Sequence, residues 1–453
     1  MREKTRLVRA IGRWSLAALM INLVIGSGIF GLPSKIASLT GRQSPLVFVI
    51  AAAGIAVIAG CFAELASRFS ESGGPYLYTL VAFGRFVGIQ TGWLNLLSRV
   101  AATAASANLL TVYLAEFCPP LDRRLAAAST ITVLLAVLAA FNIRGVKIGA
   151  GTNNLLAVAK LVPLLAFILL GCVFLSTRGT PVFSAHESHS TNAWLNAMLL
   201  AIVAYVGFES ALIPAGEAKN PERDAPIAIL IALAICTPIY VVIQFVTVHA
   251  LSDPAQTQRP LVAAAHTIGG TPLVGLIGIG VVLSILGYLA AAMIAGPRVL
   301  FALAEQKDFP RCFAAVHSRY RTPYISIITV ATLVWVLALL GSFTWNARLM
   351  AVSRLVTYAL SCAALPTLRR KSTERPRFRL PAGDLLAVIG IAFCGVLVSR
   401  IGKGEFLILL LTLMIGSVNW LIVSRRPARS YAELSSMTKS AKATAASTPA
   451  PSL

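Results

Sequence analysis

The chain has 453 residues, of which 57% are hydrophobic and only 12% are charged, and its mean hydropathy is +0.79. Because soluble proteins carry about 25% charged residues, this composition excludes an ordinary soluble protein and predicts an integral membrane protein. The formal net charge of +22 does not indicate a nucleic-acid partner, since the basic residues form short clusters between apolar runs, as in the cytoplasmic loops of membrane proteins.

About twelve apolar windows follow one another along the chain, each suited to a helix of about 20 residues that spans the bilayer. They lie near residues 14–38, 45–67, 82–112, 126–143, 150–176, 192–214, 226–251, 273–304, 325–341, 347–366, 385–399 and 404–424. The sequence therefore predicts an all-α integral membrane protein with about 12 transmembrane helices. A basic segment, 1–13, precedes them, and the polar segment 425–453, rich in Ser, Ala and Pro, is predicted to be a disordered tail.

The basic residues predict the orientation of these spans. If the N-terminus lies in the cytoplasm, the cytoplasmic loops hold most of the Lys and Arg residues, including the clusters from Arg2 to Arg13 and from Arg369 to Arg379. The opposite orientation would place this excess outside, against the positive-inside rule. We therefore predict a multi-pass protein of the cytoplasmic membrane with both termini in the cytoplasm.

Two of the predicted spans contain helix-breaking residues near their middle. The first contains Gly26-Ser27-Gly28, and the sixth contains Gly207, Pro214 and Gly216. Inside a helix, glycine costs about 1 kcal/mol and proline about 3 kcal/mol relative to alanine, so both spans are predicted to unwind there. Two interrupted spans in corresponding positions of two halves of a chain are typical of transporters built from inverted repeats.

The first interruption also spells G-x-G-x-x-G from Gly26 to Gly31, which is the pattern of a dinucleotide-binding turn. Such a site requires a strand before the first glycine and an acidic residue about 20 positions later. No Asp or Glu occurs between Gly26 and Glu64, and the preceding segment has the length of a helix. The sequence therefore does not support a nucleotide site.

Unwound backbone within the membrane must be satisfied by protein, by water in a cavity or by a ligand. The amides of Gly26, Ser27 and Gly28 would begin the second half of the first span and form a positive pole suited to a carboxylate. Carbonyls near Val24 and around Val203 to Val206 would suit an ammonium group. The pattern thus predicts a small zwitterion as ligand; the alternative is that the glycines only allow close helix packing.

Three charged residues lie deep in apolar windows, where burial costs at least about 2.5–3.5 kcal/mol. Lys160 lies in the fifth window, and we expect its ammonium to occupy a cation site beside the broken first span; the alternative is a snorkelled or structurally paired lysine. Arg99 in the third window and Glu209 in the sixth either contact substrate or form a structural ion pair. Lys160 and Glu209 are the candidate coupling residues, and Arg99 is a candidate charge partner.

Other charged and polar residues point to no further chemistry. Charges at the predicted cytoplasmic ends, such as Glu64, Arg68 and Arg85, are either solvated or part of a gate. The seven cysteines and five histidines have no spacing typical of a metal site, a disulfide framework or a Ser/His/Asp triad. We therefore predict no metal, no cofactor and no enzymatic activity.

Four motifs, in this order, make the chain similar to the amino acid–polyamine–organocation transporters. They are IGSGIFGLP, AELASRFSESGGPYLYTLVAFGRFVG, the lysine at position 160, and VGFESALIPAGEAKNPERD. The resemblance covers about residues 10–425 and implies a LeuT-type fold, with five-plus-five inverted repeats in which helices 1 and 6 are broken. One repeat would then comprise residues 14–176, the second 192–366, and two peripheral helices 385–424.

The resemblance also implies roles for residues at the two breaks. The substrate carboxylate would meet Gly26, Ser27 and Gly28, and Lys160 would take the place of a sodium ion found in sodium-coupled relatives. Several members carry an aromatic gate where this chain has Val203, so Tyr205 and Phe208 are candidates to replace it. The predicted substrate-binding residues are Val24, Ile25, Gly26, Ser27, Gly28, Val203, Tyr205, Val206, Gly207 and Phe208.

The predicted function is secondary transport of amino acids by alternating access, as a proton-coupled symporter or a sodium-independent exchanger. Because Glu209 is the only acidic residue near the predicted pocket, we expect neutral amino acids. A cationic amino acid or polyamine exchanger is the alternative within the same class. A membrane amino acid sensor that does not transport is the alternative from a different class. The predicted partners are the small-molecule substrate, the lipid bilayer and protons, while the sequence does not indicate whether a partner subunit is needed.

Overall fold

The computed structural model describes residues 12–69, 74–145, 150–178, 190–209, 220–371, 376 and 378–424. Four sequence features fall outside this range. The segment 425–453 and nearly all of segment 1–13 lie there, as do Pro214 and Gly216 of the sixth predicted span. The second interruption is therefore described only from its N-terminal side.

Within the described residues the regular structure is entirely helical. The helices are α1 (Arg13–Val24), α2 (Gly28–Gly31), α3 (Pro33–Thr40), α4 (Ser44–Arg68), α5 (Gly74–Phe83), α6 (Arg85–Leu114), α7 (Arg124–Ile143), α8 (Ala150–Arg178), α9 (Thr191–Tyr205), α10 (Pro221–Ala250), α11 (Pro260–Glu305), α12 (Tyr324–Leu340), α13 (Phe343–Lys371), α14 (Gly383–Val398) and α15 (Lys403–Ser424).

Eight helical stretches among the described residues are long and apolar enough to cross a bilayer. They are Arg13–Gly31, Pro33–Arg68, Arg124–Ile143, Lys160–Arg178, Arg223–Ala250, Pro260–Glu305, Phe343–Lys371 and Lys403–Ser424. The helices α9, α12 and α14 are also apolar but shorter. Large apolar side chains such as Leu125, Leu407 and Leu421 are exposed on the surface of the protein. In a membrane protein such side chains face the lipid tails. The structure therefore agrees with a multi-pass integral membrane protein.

Two of the differences between the helices and the predicted windows arise at a glycine. The window 82–112 begins inside α5, because Gly84 with φ +88° separates α5 from α6. The window 273–304 covers only the second part of α11, because Gly270 with φ +63° and ψ −157° interrupts that helix. Hydropathy alone does not detect these breaks, since the residues on both sides remain apolar.

The packing of the helices places the interruption between α1 and α2 at the centre of the molecule. The helix α10 packs along α4 and α1, while α13 packs along α6 and α14, and α11 packs along α6 and α8. The short helix α2 is buried at all four of its residues and contacts α9 and α11. The first interruption is therefore enclosed by other helices instead of facing lipid.

Candidate functional site

The first interruption covers the three residues between α1 and α2. The helix α1 ends at Val24, and Ile25 departs from helical geometry with ψ +80°. The amide of Gly26 donates to the carbonyl oxygen of Val24 at 2.7 Å, and helical structure resumes at Gly28. Leu32, between α2 and α3, keeps helical angles of φ −87° and ψ −28°, so the chain from Gly28 onward continues as one helical segment.

The second interruption begins where α9 ends at Tyr205. Val206 is extended, with φ −71° and ψ +143°, and Gly207 has φ +130°. Only glycine adopts this positive φ without strain. Phe208 and Glu209 follow in a short helical turn.

The two interruptions are in direct backbone contact. A Cβ atom added to Gly207 would lie 2.6 Å from the carbonyl oxygen of Leu23, and one added to Gly28 would lie 3.1 Å from the Cα atom of Ala204. Neither Gly207 nor Gly28 therefore has room for a side chain in this packing. The glycines that interrupt the first and sixth spans therefore allow these two spans to meet at their breaks.

A central cavity of about 150 Å³ lies against this contact. From the two broken spans it is lined by Leu23, Val24, Gly26, Ser27, Gly28, Val203, Val206, Gly207 and Glu209. Its other polar walls come from Arg99 and Thr103 on α6, Tyr288 on α11 and Arg354 on α13. Sites for drug-sized ligands usually measure about 300–1,000 Å³, so this cavity suits a small molecule.

Three of the ten predicted substrate-binding residues do not line the central cavity. The Tyr205 hydroxyl donates to the carbonyl of Phe48 at 3.0 Å, and Phe208 packs edge-on against Phe62, with ring centroids 5.6 Å apart. Ile25 turns its carbonyl toward Lys160. The aromatic side chains that do line the cavity are Tyr288 and Phe343, which the sequence analysis did not single out.

Hydrogen bonds at the first interruption limit which of its groups can meet a ligand. The Val24 carbonyl accepts from the Tyr240 hydroxyl at 2.8 Å as well as from the Gly26 amide. A carbonyl oxygen has two lone pairs, so both are used within the protein. This leaves the carbonyls of the last turn of α9, around Val203, as better acceptors for an ammonium group than Val24.

Lys160 lies beside the first interruption but not in the cavity. Its side chain is 8% exposed, and its ammonium donates to the carbonyl of Ile25 at 2.8 Å and to the carbonyl of Asn22. These carbonyls stand at the C-terminal end of α1, where the helix dipole is negative and intrahelical donors run out. The lysine therefore acts as a cationic cap on the broken end of α1.

Glu209 forms a buried ion pair next to the cavity. Its carboxylate lies 2.9 Å from the Arg354 guanidinium, and it accepts from the Tyr358 hydroxyl at 2.7 Å and from the Gly207 amide at 3.1 Å. Arg354 also donates to the side-chain carbonyl of Asn95 at 2.9 Å. A carboxylate and a guanidinium that are both almost fully buried need such partners, because an isolated buried charge is very costly.

Arg99, Glu209 and Arg354 together separate two cavities, and we refer to them as the central charge cluster. All three line both the central cavity and a second cavity of about 200 Å³. The second cavity continues toward Tyr76 and Gln306. The three charges therefore lie where the two cavities border each other.

Arg354 and its neighbours are the functional candidates that sequence analysis missed. Arg354 lies inside the apolar window 347–366, so the criterion that selected Arg99 would also have selected it. Tyr358 follows it by one helical turn on the same face of α13. Their common partner, Glu209, lies about 150 residues earlier in the chain, a distance across which no local pattern connects them.

A second group of buried charges lies away from the cavities, and we call Glu64, Arg68 and Arg369 the Glu64 cluster. Arg68 binds the Glu64 carboxylate at 2.8 Å and Arg369 binds it at 2.5 Å. The backbone amide of Leu380 also donates to it at 2.8 Å. The sequence predicts that Glu64 and Arg68 are either solvated or gate residues; in the structure they are paired, and the cluster joins α4 to α13.

Two further observations bear on other kinds of site. A further cavity of about 830 Å³ is lined by Arg259, Glu116 and Asp122 among others, but it shares no residue with the interruptions. In the described part of the chain, no three or more His, Cys, Asp or Glu residues are grouped so that they could hold a metal ion. The central cavity is therefore the one we take as the candidate site.

The comparisons with known proteins agree with a transport role. The sequence model of the amino acid permease family matches residues 11–436. The branched-chain amino acid permease BcaP of Bacillus subtilis is 27% identical over 93% of this chain and 94% of its own length. From the same organism, the methylthioribose transporter is 25% identical over 93% and 94%, and the serine/threonine exchanger SteT is 29% identical over 86% and 90%. These relatives are transporters, not enzymes, and the chain is itself a multi-pass membrane protein that belongs to the amino acid permease family.

Proposed function

We propose that the protein is a secondary transporter that moves amino acids across the cytoplasmic membrane by alternating access. The observation that carries this proposal is the contact between the two interrupted spans, with a small cavity against it whose mostly apolar wall also holds charged and polar groups. Interrupted helices that meet at a binding site are a recurring feature of secondary transporters. Membership of the amino acid permease family supplies the substrate class.

The proposal includes an architecture of about 12 spans arranged as LeuT-type five-plus-five inverted repeats. Residues 14–176 and 192–366 would form the two repeats, and residues 385–424 would form two peripheral helices. Both termini would lie in the cytoplasm, as the distribution of Lys and Arg predicts. In this arrangement the two broken spans move against the helices that surround them, and the cavity opens to one side at a time.

The substrate backbone would bind between the two interruptions. The amides of Gly26, Ser27 and Gly28 would receive the carboxylate at the start of the α2 helical segment, where the helix dipole is positive. The Ser27 hydroxyl, which lies 2.8 Å from the Ser106 hydroxyl, supplies a further polar group on this side. Carbonyls at the end of α9 around Val203 would receive the ammonium group. The absence of side chains at Gly26 and Gly28 lets a ligand approach the backbone closely.

Lys160 would serve ion coupling. Its ammonium caps the carbonyls of Asn22 and Ile25 at the broken end of α1, which is a place where a bound cation could otherwise sit. This favours proton-coupled symport or sodium-independent exchange. Lys160→Ala should therefore impair uptake at every sodium concentration, while a variant that transports as well as the wild type with the same pH dependence would remove the coupling role.

The decisive experiment is counterflow in proteoliposomes with labelled neutral, acidic and cationic amino acids, polyamines and methylthioribose, with and without gradients of pH and sodium. We expect exchange of at least one amino acid that does not require sodium. Exchange that strictly requires sodium would contradict the coupling proposal. No flux of any amino acid would contradict transport and favour the sensor alternative.

Variants at the interruption test the location of the site. Gly28→Leu should abolish counterflow, since a Cβ atom there already approaches Ala204 to 3.1 Å. Gly395→Leu on α14 is the matched control, because nothing lies within 4 Å of a Cβ atom at that position. Both variants should elute as folded protein in detergent. Counterflow that survives in folded Gly28→Leu would show that the carboxylate site is misplaced.

A further inference from the structure

The size of the central cavity indicates the size of the substrate side chain. We propose that Phe343, whose ring fills the space left open by Gly31, limits the central cavity to small amino acids such as alanine, serine and threonine. This inference rests on the proposed function, because it assumes that an amino acid occupies the central cavity.

The first argument is the volume of the central cavity, which is about 150 Å³. An engineered protein cavity of about this volume binds one molecule of benzene. Alanine has as many non-hydrogen atoms as benzene, serine has one more and threonine has two more, whereas phenylalanine and arginine have twice as many. The central cavity therefore has room for an amino acid with a short side chain.

The second argument is the contact that places Phe343 in the wall of the cavity. Phe343 begins α13 and lines the central cavity. A Cβ atom added to Gly31 would lie 2.5 Å from two carbon atoms of the Phe343 ring and 2.9 Å from a methyl carbon of Leu109. Packed carbon atoms are normally about 3.5–4.0 Å apart. The ring therefore occupies this place only because residue 31 has no side chain.

The backbone of Gly31 gives no other reason for a glycine. Gly31 belongs to the helix α2 and is not among the described glycines with a positive φ, so the chain could adopt this conformation with any ordinary residue. Within a helix, glycine is about 1 kcal/mol less favourable than alanine. What glycine provides at position 31 is space, and the Phe343 ring fills that space.

Hydrogen bonds hold both sides of this contact in place. On the side of α2, the Tyr113 hydroxyl donates to the carbonyl of Phe30 at 2.8 Å, which ties α2 to α6. On the side of α13, the buried side-chain amide of Asn346 donates to the side-chain carbonyl of Asn108 at 3.0 Å. Asn346 lies about one helical turn after Phe343. Because α2 and the start of α13 are both tied to α6, the ring forms a firm wall.

The Phe343 ring also marks one end of the central cavity. On α6, Thr103 lines the central cavity, whereas Thr111 lines the cavity of about 830 Å³. Leu109, the other close neighbour of Gly31, lies between these two positions on the same helix. Among the described residues, none lines both cavities. Removing the ring should therefore lengthen the central cavity in this direction.

The test is counterflow in proteoliposomes with labelled alanine, threonine, leucine and phenylalanine. For the wild-type protein we expect alanine and threonine to exchange at least about tenfold faster than leucine and phenylalanine. Phe343→Ala should raise the exchange of leucine and phenylalanine relative to alanine by about tenfold, because the ring no longer limits the cavity. Phe343→Leu keeps a large apolar side chain at this position and should give a smaller change in the same direction.

A second pair of variants tests the contact with Gly31. Gly31→Ala displaces the ring and should lower the exchange of alanine and threonine by about tenfold. The double variant Gly31→Ala/Phe343→Ala gives the new methyl group the space of the ring and should restore exchange. A folded double variant that exchanges no faster than Gly31→Ala would show that the two residues are not coupled, which would overturn the assignment of Gly31.

The control and the outcomes are separate from those of the transport proposal. Phe406→Ala on α15 is the matched control, because the Phe406 side chain is 53% exposed and lines neither cavity; it should keep the wild-type preference. Wild-type protein that exchanges phenylalanine as fast as alanine would overturn the size limit and leave transport standing. The wild-type preference in folded Phe343→Ala or Phe343→Leu would overturn the role of Phe343. Absence of all exchange would refute transport, and this inference would fall with it.

Discussion

The central charge cluster and the Glu64 cluster each consist of one buried glutamate and two arginines. In the Glu64 cluster both arginines bind the glutamate directly, and a backbone amide of the loop before α14 completes the shell. Asp384 also lies 3.3 Å from one of these arginines, so two carboxylates balance two guanidinium groups. In the central cluster Arg354 binds Glu209 directly, and the Tyr358 hydroxyl and the Gly207 amide also donate to the same carboxylate.

The two clusters also differ in their surroundings. The Glu64 cluster lines neither the central cavity nor the second cavity, whereas all three members of the central cluster line both. Both clusters are buried and charged, but only the central charge cluster borders the two cavities, where a ligand has space to bind. A deep charge in a membrane protein therefore identifies a candidate site only where it also lines a cavity.

The largest effect should follow from breaking the ion pair of the central cluster. Arg354→Gln removes the guanidinium that contacts the buried carboxylate of Glu209, and breaking a buried ion pair in this way costs about 3–5 kcal/mol of folding stability. The double variant Arg354→Gln/Glu209→Gln removes both charges and should recover part of that loss. Thermal unfolding in detergent measures both. If the double variant is no more stable than Arg354→Gln, the two side chains are not coupled in the way the contact implies.

A smaller loss is expected from the Glu64 cluster. Its arginines are 9% and 14% exposed, so water relieves part of the penalty, and Glu64→Gln should cost about 2 kcal/mol. The melting temperature should fall while the folded variant keeps a counterflow rate close to the wild-type value. A loss of counterflow in the folded variant would show that this cluster also acts in transport, and the distinction between the two clusters would then fail.

The smallest effect should come from the rim of the Glu64 cluster. The Asp384 carboxylate is 67% exposed and lies 3.3 Å from Arg369, and ion pairs of this kind contribute about 0.5 kcal/mol or less. Asp384→Asn should therefore leave both the melting temperature and the exchange rates close to the wild-type values. A melting temperature as low as that of Glu64→Gln would mean that the balance of two carboxylates against two arginines is essential there.

Local patterns predicted the helical class and the first interruption well. Hydropathy alone identifies apolar helices, and the glycines at 26 and 28 lie where α1 ends and α2 begins. The sixth predicted span likewise contains Gly207, whose φ of +130° follows the end of α9. Both features depend on residues that are neighbours in sequence, and this is why they can be read from it.

The partners of the buried charges could not be predicted in the same way. Glu209 and Tyr358 are separated by 149 positions, and Glu64 and Arg369 by 305, so only the packing of helices brings them together. The charge of the cavity depends on these pairings. The sequence shows Glu209 as a deep charge, but its pairing with Arg354 on α13 becomes visible only in the folded protein.

The cation at the broken end of α1 is the side chain of Lys160, so it is covalently attached to the protein and is not drawn from the solution. A dissolved cation would occupy the carbonyls of Asn22 and Ile25 in proportion to its concentration in the medium. The ammonium on α8 is instead held there at an effective concentration set by geometry alone. The end of α1 is therefore capped equally in dilute and in concentrated salt, and a small shift of α1 against α8 breaks the contact without any solute leaving the protein.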